Sequence, residues 1–319
     1  MGEGEFAMNP QSIESLYLYL DGTSISLQGE LEFTYLEGFC EAARNLLEGH
    51  VSQDVDETVK AKLEPLLQAT LKQTFHPEEI RKAVQLALLK GFKTDGLNVA
   101  AITPDAVGIL IGYLLDKMLP KRKVVLFDPI AKTGNLLFAV RHHAHRDSVA
   151  IAVERDPLFY AILKAFYGLL DLDEEAYCQE SLSFVGANAD CLLLDFMLEP
   201  PSEEAYFPYR AILHHHQNVV EGGLCFAVIF DEFFDRADSP EFRKLLEAKW
   251  SVVGLLQLPS TLFRKISKSI LILQKQGPSV RRVEKALAVK LPDFQDEASL
   301  STTITHIDRW IEDNLLKGA

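Results

Sequence analysis

The stretch 124–137, Val124-Val125-Leu126-Phe127-Asp128-Pro129-Ile130-Ala131-Lys132-Thr133-Gly134-Asn135-Leu136-Leu137, decides the fold. An apolar run meets an Asp-Pro, passes a short polar bend holding one Gly and resumes with helical spacing, which predicts a strand, a tight turn and a helix start. Val149-Ala150-Ile151-Ala152-Val153-Glu154 follows as a second buried strand that ends on a carboxylate. Open parallel sheets bind ligands beyond the carboxyl ends of their strands, where loop amides and a helix N-terminus are available. Asp128, the 131–135 bend and Glu154 are therefore expected to converge on one small polar ligand. An acid at the second strand tip can accept hydrogen bonds from both hydroxyls of a ribose, whereas a dinucleotide would also need Gly-x-Gly-x-x-Gly, which is missing.

Working outward, composition sets the bounds. The chain has 319 residues, 48% of them hydrophobic, enough for one large or two medium domains with a real core. No run of about eighteen uninterrupted apolar residues appears, and Met1–Pro10 lacks the basic-then-apolar profile of a signal peptide, so a cytoplasmic location without a membrane is expected. Cys40, Cys178, Cys191 and Cys225 form no Cys-x-x-Cys pair, which argues against a disulfide framework or a zinc ribbon. A formal net charge of −14 has the wrong sign for gripping nucleic acid through the overall field. Any such contact needs a local basic patch or a partner.

Toward the N-terminus, Ser15-Leu16-Tyr17-Leu18-Tyr19-Leu20 reads as β-prone with Asp21-Gly22 as a turn, and residues 30–92 read as helices by their apolar spacing. Lys90–Gly96 is the expected boundary, giving a mostly helical domain over 1–96 and an α/β domain over 97–319. Toward the C-terminus, Ser183–Leu193 reads as a third strand, 205–218 as a helix and Leu224–Phe230 as a further strand. Residues 250–259 and 268–275 read as a hairpin-like pair, 285–291 as one more strand or extended segment and 297–316 as an amphipathic helix. His142, His143 and His145, and the run His214-His215-His216, lack ligand partners or point in different directions, so no metal site is expected.

Several of these segments resemble motifs of one family. Asp128-Pro129-Ile130-Ala131-Lys132-Thr133-Gly134 is similar to the Asp-Pro-x-x-Gly-Thr-Gly loop of S-adenosylmethionine (SAM)-dependent N6-adenine methyltransferases. Thr103-Pro104 resembles the Thr-Pro that opens a helix upstream of that loop in the permuted gamma order, which includes the modification subunits of type I restriction systems. Glu154-Arg155-Asp156-Pro157 resembles the family's acid-x-Asp-Pro, and Ala189-Asp190-Cys191-Leu192 its Ala-Asp-x-Leu. Leu258-Pro259-Ser260-Thr261-Leu262-Phe263 resembles the Leu-Pro-x-x-Leu-Phe of type I modification subunits. The stand-alone YtxK-like group is the one the chain resembles most.

The resemblance implies a Rossmann-like, seven-stranded class I methyltransferase sheet behind the N-terminal helical domain, with SAM as cofactor. It implies Asp128, Pro129, Ala131, Thr133, Gly134, Asn135 and Leu136 around the methionine portion, and Thr103 at its carboxylate end. Glu154 and Arg155 would lie at the ribose, and Asp190 and Cys191 at the adenine. The implied reaction is in-line, metal-free methylation of an adenine amine in nucleic acid, DNA by resemblance. Two departures stand out. Lys132 occupies the loop's first Gly, where Gly serves close approach or positive φ. The Asn/Asp/Ser-Pro-Pro-aromatic motif, whose side chain and backbone carbonyl accept hydrogen bonds from the target amine, is not found. Glu199-Pro200-Pro201-Ser202 imitates it without the aromatic and stands too close to Asp190 for another strand between them. A lost or missing segment near 199–202 is therefore expected, and the catalytic residues stay unassigned. The alternative is a catalytically silent descendant that binds SAM, or nothing, and acts through a protein partner or a second copy of itself. A nicotinamide-dependent dehydrogenase is disfavoured without the Gly-rich fingerprint.

Overall fold

The computed structural model describes residues 8–121, 123–196, 206–263 and 266–316. They divide into two compact units. The first comprises the chain through Ile102 with Lys132–Asn135 and Asp156–Cys178, and the second comprises Thr103–Ala131, Leu136–Arg155 and the chain from Gln179.

The first unit is helical: α1 (Pro10–Leu31), α2 (Tyr35–Glu48), α3 (Glu57–Leu71), α4 (Pro77–Thr94) and, from later in the chain, α7 (Pro157–Leu169). The β-prone segment 15–20 lies inside α1, contrary to the local propensity. Asn9 caps that helix by accepting from Gln11 N at 3.0 Å, Pro10 takes its first position, and Leu16, Tyr19, Leu20, Thr23 and Leu27 line one buried face. The 3.6-residue stripe overrides β propensity once it has a surface to cover. That surface is α2, approached so closely that a Cβ on Gly38 would stand 2.8 Å from the Ser24 carbonyl oxygen. The Asp95 carboxylate, after α4, accepts from Tyr35 N and Leu36 N at 2.9 Å each and so satisfies the first amides of α2.

The eight strands form one sheet: β1 (Lys123–Asp128), β2 (Asp147–Glu154), β3 (Glu175–Cys178), β4 (Ala189–Asp195), β5 (Val219–Phe230), β6 (Trp250–Gln257), β7 (Lys268–Lys275) and β8 (Leu287–Lys290). Their order is β3-β2-β1-β4-β5-β7-β6-β8, with β7 antiparallel to both of its neighbours. The segment expected at 285–291 is β8, parallel to β6, and it extends the seven-stranded sheet that the resemblance implies to eight. The expected third strand at 183–193 is displaced: β3 is the short Glu175–Cys178, and the apolar run ending at Asp195 is already the fourth strand. Only four residues long, with a mostly exposed pattern, β3 carries little of the hydrophobic signal that marks a strand.

Between β1 and β2 runs α6 (Asn135–His143), packed against α5 (Asp105–Met118). A Cβ on Gly108 would stand 2.4 Å from that of Ala139, so Gly permits this crossing. The segment Val99–Met118 is long and apolar enough, by length and composition, to cross a membrane. Eight of the fourteen α5 residues are buried within the protein, which accounts for that apolarity as core packing. On the far side, α8 (Phe207–His215) and α9 (Ser239–Lys249) contribute Tyr209, Ile212, Phe242 and Leu246 to a core with Phe127, Val153, Leu192 and Leu194. The tail ends in α10 (Glu297–Ile311) and one π-helical turn.

Candidate functional site

Three parallel strands end on buried acids: β1 on Asp128, β2 on Glu154 and β4 on Asp195, exposed to 2%, 7% and 3%. Register decides which way they face. Asp128 pairs with Ala152, and Glu154 lies two residues further along β2. Phe127 pairs with Leu192, which puts Asp128 beside Leu193, with Asp195 two residues further along β4. Side chains alternate with period two, so all three acids project from the same face, opposite the Phe127, Val153, Leu192 and Leu194 set. The convergence expected of Asp128 and Glu154 is thus built into the pairing, and Asp195 joins it.

Beyond β1 the chain turns sharply. Ile130 N donates to Asp128 Oδ1 at 3.1 Å and Ala131 N to Val153 O at 3.0 Å, an Asx-type turn pinned to the next strand. Lys132 then takes φ +53° and Gly134 φ +81°. The family's first Gly thus corresponds to a left-handed position, which an L side chain enters at a cost of about 1–2 kcal/mol. Pro129 leads into the turn, Thr133, Asn135 and Leu136 are buried, and Thr133 Oγ1 finds no hydrogen-bond partner among the described residues. A buried hydroxyl without a partner is what a polar ligand at this turn would satisfy. Acids at neighbouring strand tips, facing one way, fit a cofactor carrying ribose hydroxyls.

Thr103 directly precedes Pro104, the N-cap of α5, and its hydroxyl donates to Asp195 Oδ2 at 2.6 Å. Asp195 Oδ1 accepts from Lys268 Nζ at 3.0 Å, and the same ammonium donates to the Phe196 carbonyl at 3.1 Å. Lys268 opens β7, is exposed to 4%, and sits 5.1 Å from the ring centres of Phe230 and Phe263. Phe263 is the aromatic of the Leu-Pro-x-x-Leu-Phe segment. Its turn is closed by Leu262 N donating to Pro259 O at 3.1 Å, and Leu258 N bonds Lys268 O at 2.9 Å.

Asp190 is corrected outright as the adenine contact. It stands second in β4, beside Val125 in register, about 10 Å upstream of the Asp128 level and facing the opposite way. Its carboxylate accepts from Lys121 Nζ at 2.5 Å and Val125 N at 3.0 Å, tying down the entry of β1. Cys191 faces the Asp128 side two residues deeper and fully buried, and burial raises its thiol pKa well above the ordinary value. The segment that does reach the tip of β2 is the loop after β3. There Gln179 N donates to Glu154 O at 3.2 Å, and Glu180 pairs with Arg155 at 3.7 Å across an exposed gap. The expected gap near 199–202 lies outside the described residues.

His215, set aside as a metal ligand in the sequence, proves to be a buried hub. Asn218 Nδ2 donates to its Nδ1 at 2.9 Å, which assigns the ring proton to Nε2, 2.9 Å from Ser181 Oγ. Asn218 also takes Gly186 N at 2.7 Å and gives to Phe184 O at 3.1 Å, fixing the connection into β4. Burial lowers the His215 pKa to about 3.

Known proteins match this arrangement. Residues 14–92 match the family model described as the YtxK N-terminal helical domain. The chain is 28% identical to the Bacillus subtilis (strain 168) protein YtxK, itself uncharacterized, over 96% of this chain and 99% of that one. A Listeria monocytogenes protein assigned to the class I SAM-dependent methyltransferases superposes with a TM-score of 0.86 at 29% identity, over 95% of this chain and 100% of the other. A type I restriction-modification methyltransferase subunit from Streptococcus thermophilus superposes with a TM-score of 0.59 at 13% identity, over 97% of this chain and 76% of that subunit. The fold is that of the class I SAM-dependent methyltransferases, preceded by a YtxK-type helical segment.

Proposed function

We propose that the protein is a cytoplasmic, SAM-dependent methyltransferase whose target is an adenine amine in nucleic acid. The observation that carries this reading is the common facing of Asp128 and Glu154 at the carboxyl ends of adjacent parallel strands in a class I methyltransferase fold. Glu154 would accept from the ribose hydroxyls, and Asp128 with the 130–131 amides would hold the amino-acid end. Bound SAM supplies a methyl group on a cationic sulfonium, reactive enough that the protein's part is to orient the acceptor and exclude water. Asp195, at the tip of the adjacent strand β4, is the acid placed to receive an acceptor amine. Nucleic acid as substrate is supported by likeness to the restriction-modification subunits and opposed by the overall charge of −14.

A second reading has its own observation. Asp195 is followed by Phe196 where the family has Pro, and both its carboxylate oxygens and the Phe196 carbonyl already hold hydrogen bonds from Thr103 and Lys268. That favours a silent descendant that works through a protein partner. Incubation with methyl-labelled SAM and either adenine-containing or adenine-free DNA and RNA separates the readings. Label in the adenine-containing polymers alone is expected under the first. SAM binding with no transfer to any polymer moves the assignment to the second.

A further inference from the structure

The connection from β3 to β4 meets the candidate site at one point and is anchored at another. Gln179 N donates to Glu154 O at 3.2 Å, which seats residues 179–182 against the strand tip assigned to the ribose. Ser181, exposed to 6%, follows two residues later, with its hydroxyl 2.9 Å from His215 Nε2. Further along, Asn218 takes Gly186 N at 2.7 Å and gives to Phe184 O at 3.1 Å. A hydroxyl, an imidazole and an amide in a row also serve to activate a nucleophile, and the direction in which the protons are given separates the two uses. A backbone N–H only donates, so the Asn218 oxygen is the atom that faces Gly186, and Nδ2 is the donor toward His215 Nδ1 at 2.9 Å. The ring proton then sits on Nε2 and is given to Ser181. In that tautomer the imidazole cannot take the serine's proton, and the row acts as a tether.

Packing alone does not account for it. His215 lies edge-on to Phe127, 5.4 Å between ring centres, a contact that a phenyl ring would make as well. Burying an imidazole and an amide costs free energy unless their polar atoms are met. Among the described residues, the side-chain bonds that His215 and Asn218 make beyond each other all go to 181–187. We propose that His215, oriented by Asn218, is a positioning residue for the ribose end of the cofactor, holding residues 179–182 at the tip of β2 through Ser181. The inference rests on the SAM reading for the identity of the ligand, and on the hydrogen bonds alone for the anchoring. A loop already in place when Glu154 takes the ribose adds to affinity, because less has to be ordered on binding.

Hydrogen exchange of the full chain without ligand reads the anchoring, and calorimetry reads its effect on SAM. His215→Phe and Ser181→Ala are each expected to speed exchange over 179–184 about 10-fold or more while the β1 and β4 amides stay unchanged. His215→Gln, whose amide both accepts from Asn218 and donates to Ser181, is expected to keep the wild-type rate. SAM affinity is expected to fall about 3- to 10-fold in H215F and S181A, to fall no further in the double variant, and to be kept in H215Q. Unchanged exchange over 179–184, equal acceleration across the sheet, or the same acceleration in H215Q as in H215F overturns the anchoring. A localised acceleration with SAM affinity unmoved overturns the positioning role. Should H215F fail to fold, S181A, which deletes a single oxygen, carries both readouts. A wild type that binds no SAM removes the cofactor reading and the ligand assigned with it, whereas the exchange rates decide the anchoring without any ligand.

Discussion

Lys132 shows how a residue that breaks a motif can still respect its geometry. The loop keeps the positive φ that the family's Gly supplies, at +53°, and tolerates a lysine there. Lys132→Gly relieves about 1–2 kcal/mol of left-handed strain, against which stand about 0.5–1 kcal/mol through the looser unfolded chain and the loss of a buried side chain with its contacts. Lys268→Met leaves Asp195 buried beside Thr103 without its counter-charge, so a loss of about 3–5 kcal/mol is expected in urea unfolding. His215 governs pH. Its folded pKa of about 3 lies below the ordinary 6.5, so the unfolded chain binds the extra proton first; His216, lowered to about 4 chiefly by burial, acts in the same sense. The stability contributed by His215 is full above pH 6.5 and falls as pH drops from 6.5 toward 3, by at most about 1.4 kcal/mol per pH unit, and the half-exposed His216 adds less in the same sense. His215→Gln is expected to flatten that slope by one proton, as read from urea midpoints between pH 7 and 5.

At the scale of elements, what the sequence made legible tracks how much apolar signal each segment carries. Strands β1, β2, β5, β6 and β7 are long and buried, and their periodicity alone locates them. The four residues of β3 carry almost none, so the apolar run of β4 reads as the third strand, and Asp195 at its tip goes unnoticed. In α1 the failure has another origin. The Asn-Pro cap was present at 9–10, but the β-prone run is helical because α2 covers its stripe, a tertiary fact that local propensity does not contain. The α5–α6 crossing offers an element-scale test: Gly108→Leu drives a side chain into Ala139. A loss of about 1–3 kcal/mol, with the two-state transition kept, is expected from urea unfolding, whereas a neutral effect would mean the two helices are not in this contact.

For the molecule as a whole, the α/β class was legible in two strand tips and a bend, because a parallel sheet leaves few places to bind a polar ligand, whereas the switch at β1/β4 is visible only in the strand order. What did not follow was the cluster around Asp195, since Thr103, Asp195, Phe230, Phe263 and Lys268 meet from separated segments whose pairing only the sheet order creates. The central claim is that Asp128 and Glu154 together hold an adenosyl cofactor. Calorimetric titration of SAM into the wild type, Asp128→Ala and Glu154→Ala tests it most directly. Saturable one-site binding is predicted for the wild type, weakened about 10-fold or more in each variant as a charge-assisted hydrogen-bonding group is lost. Wild-type heats no larger than dilution, or an affinity untouched by either substitution, would contradict the account.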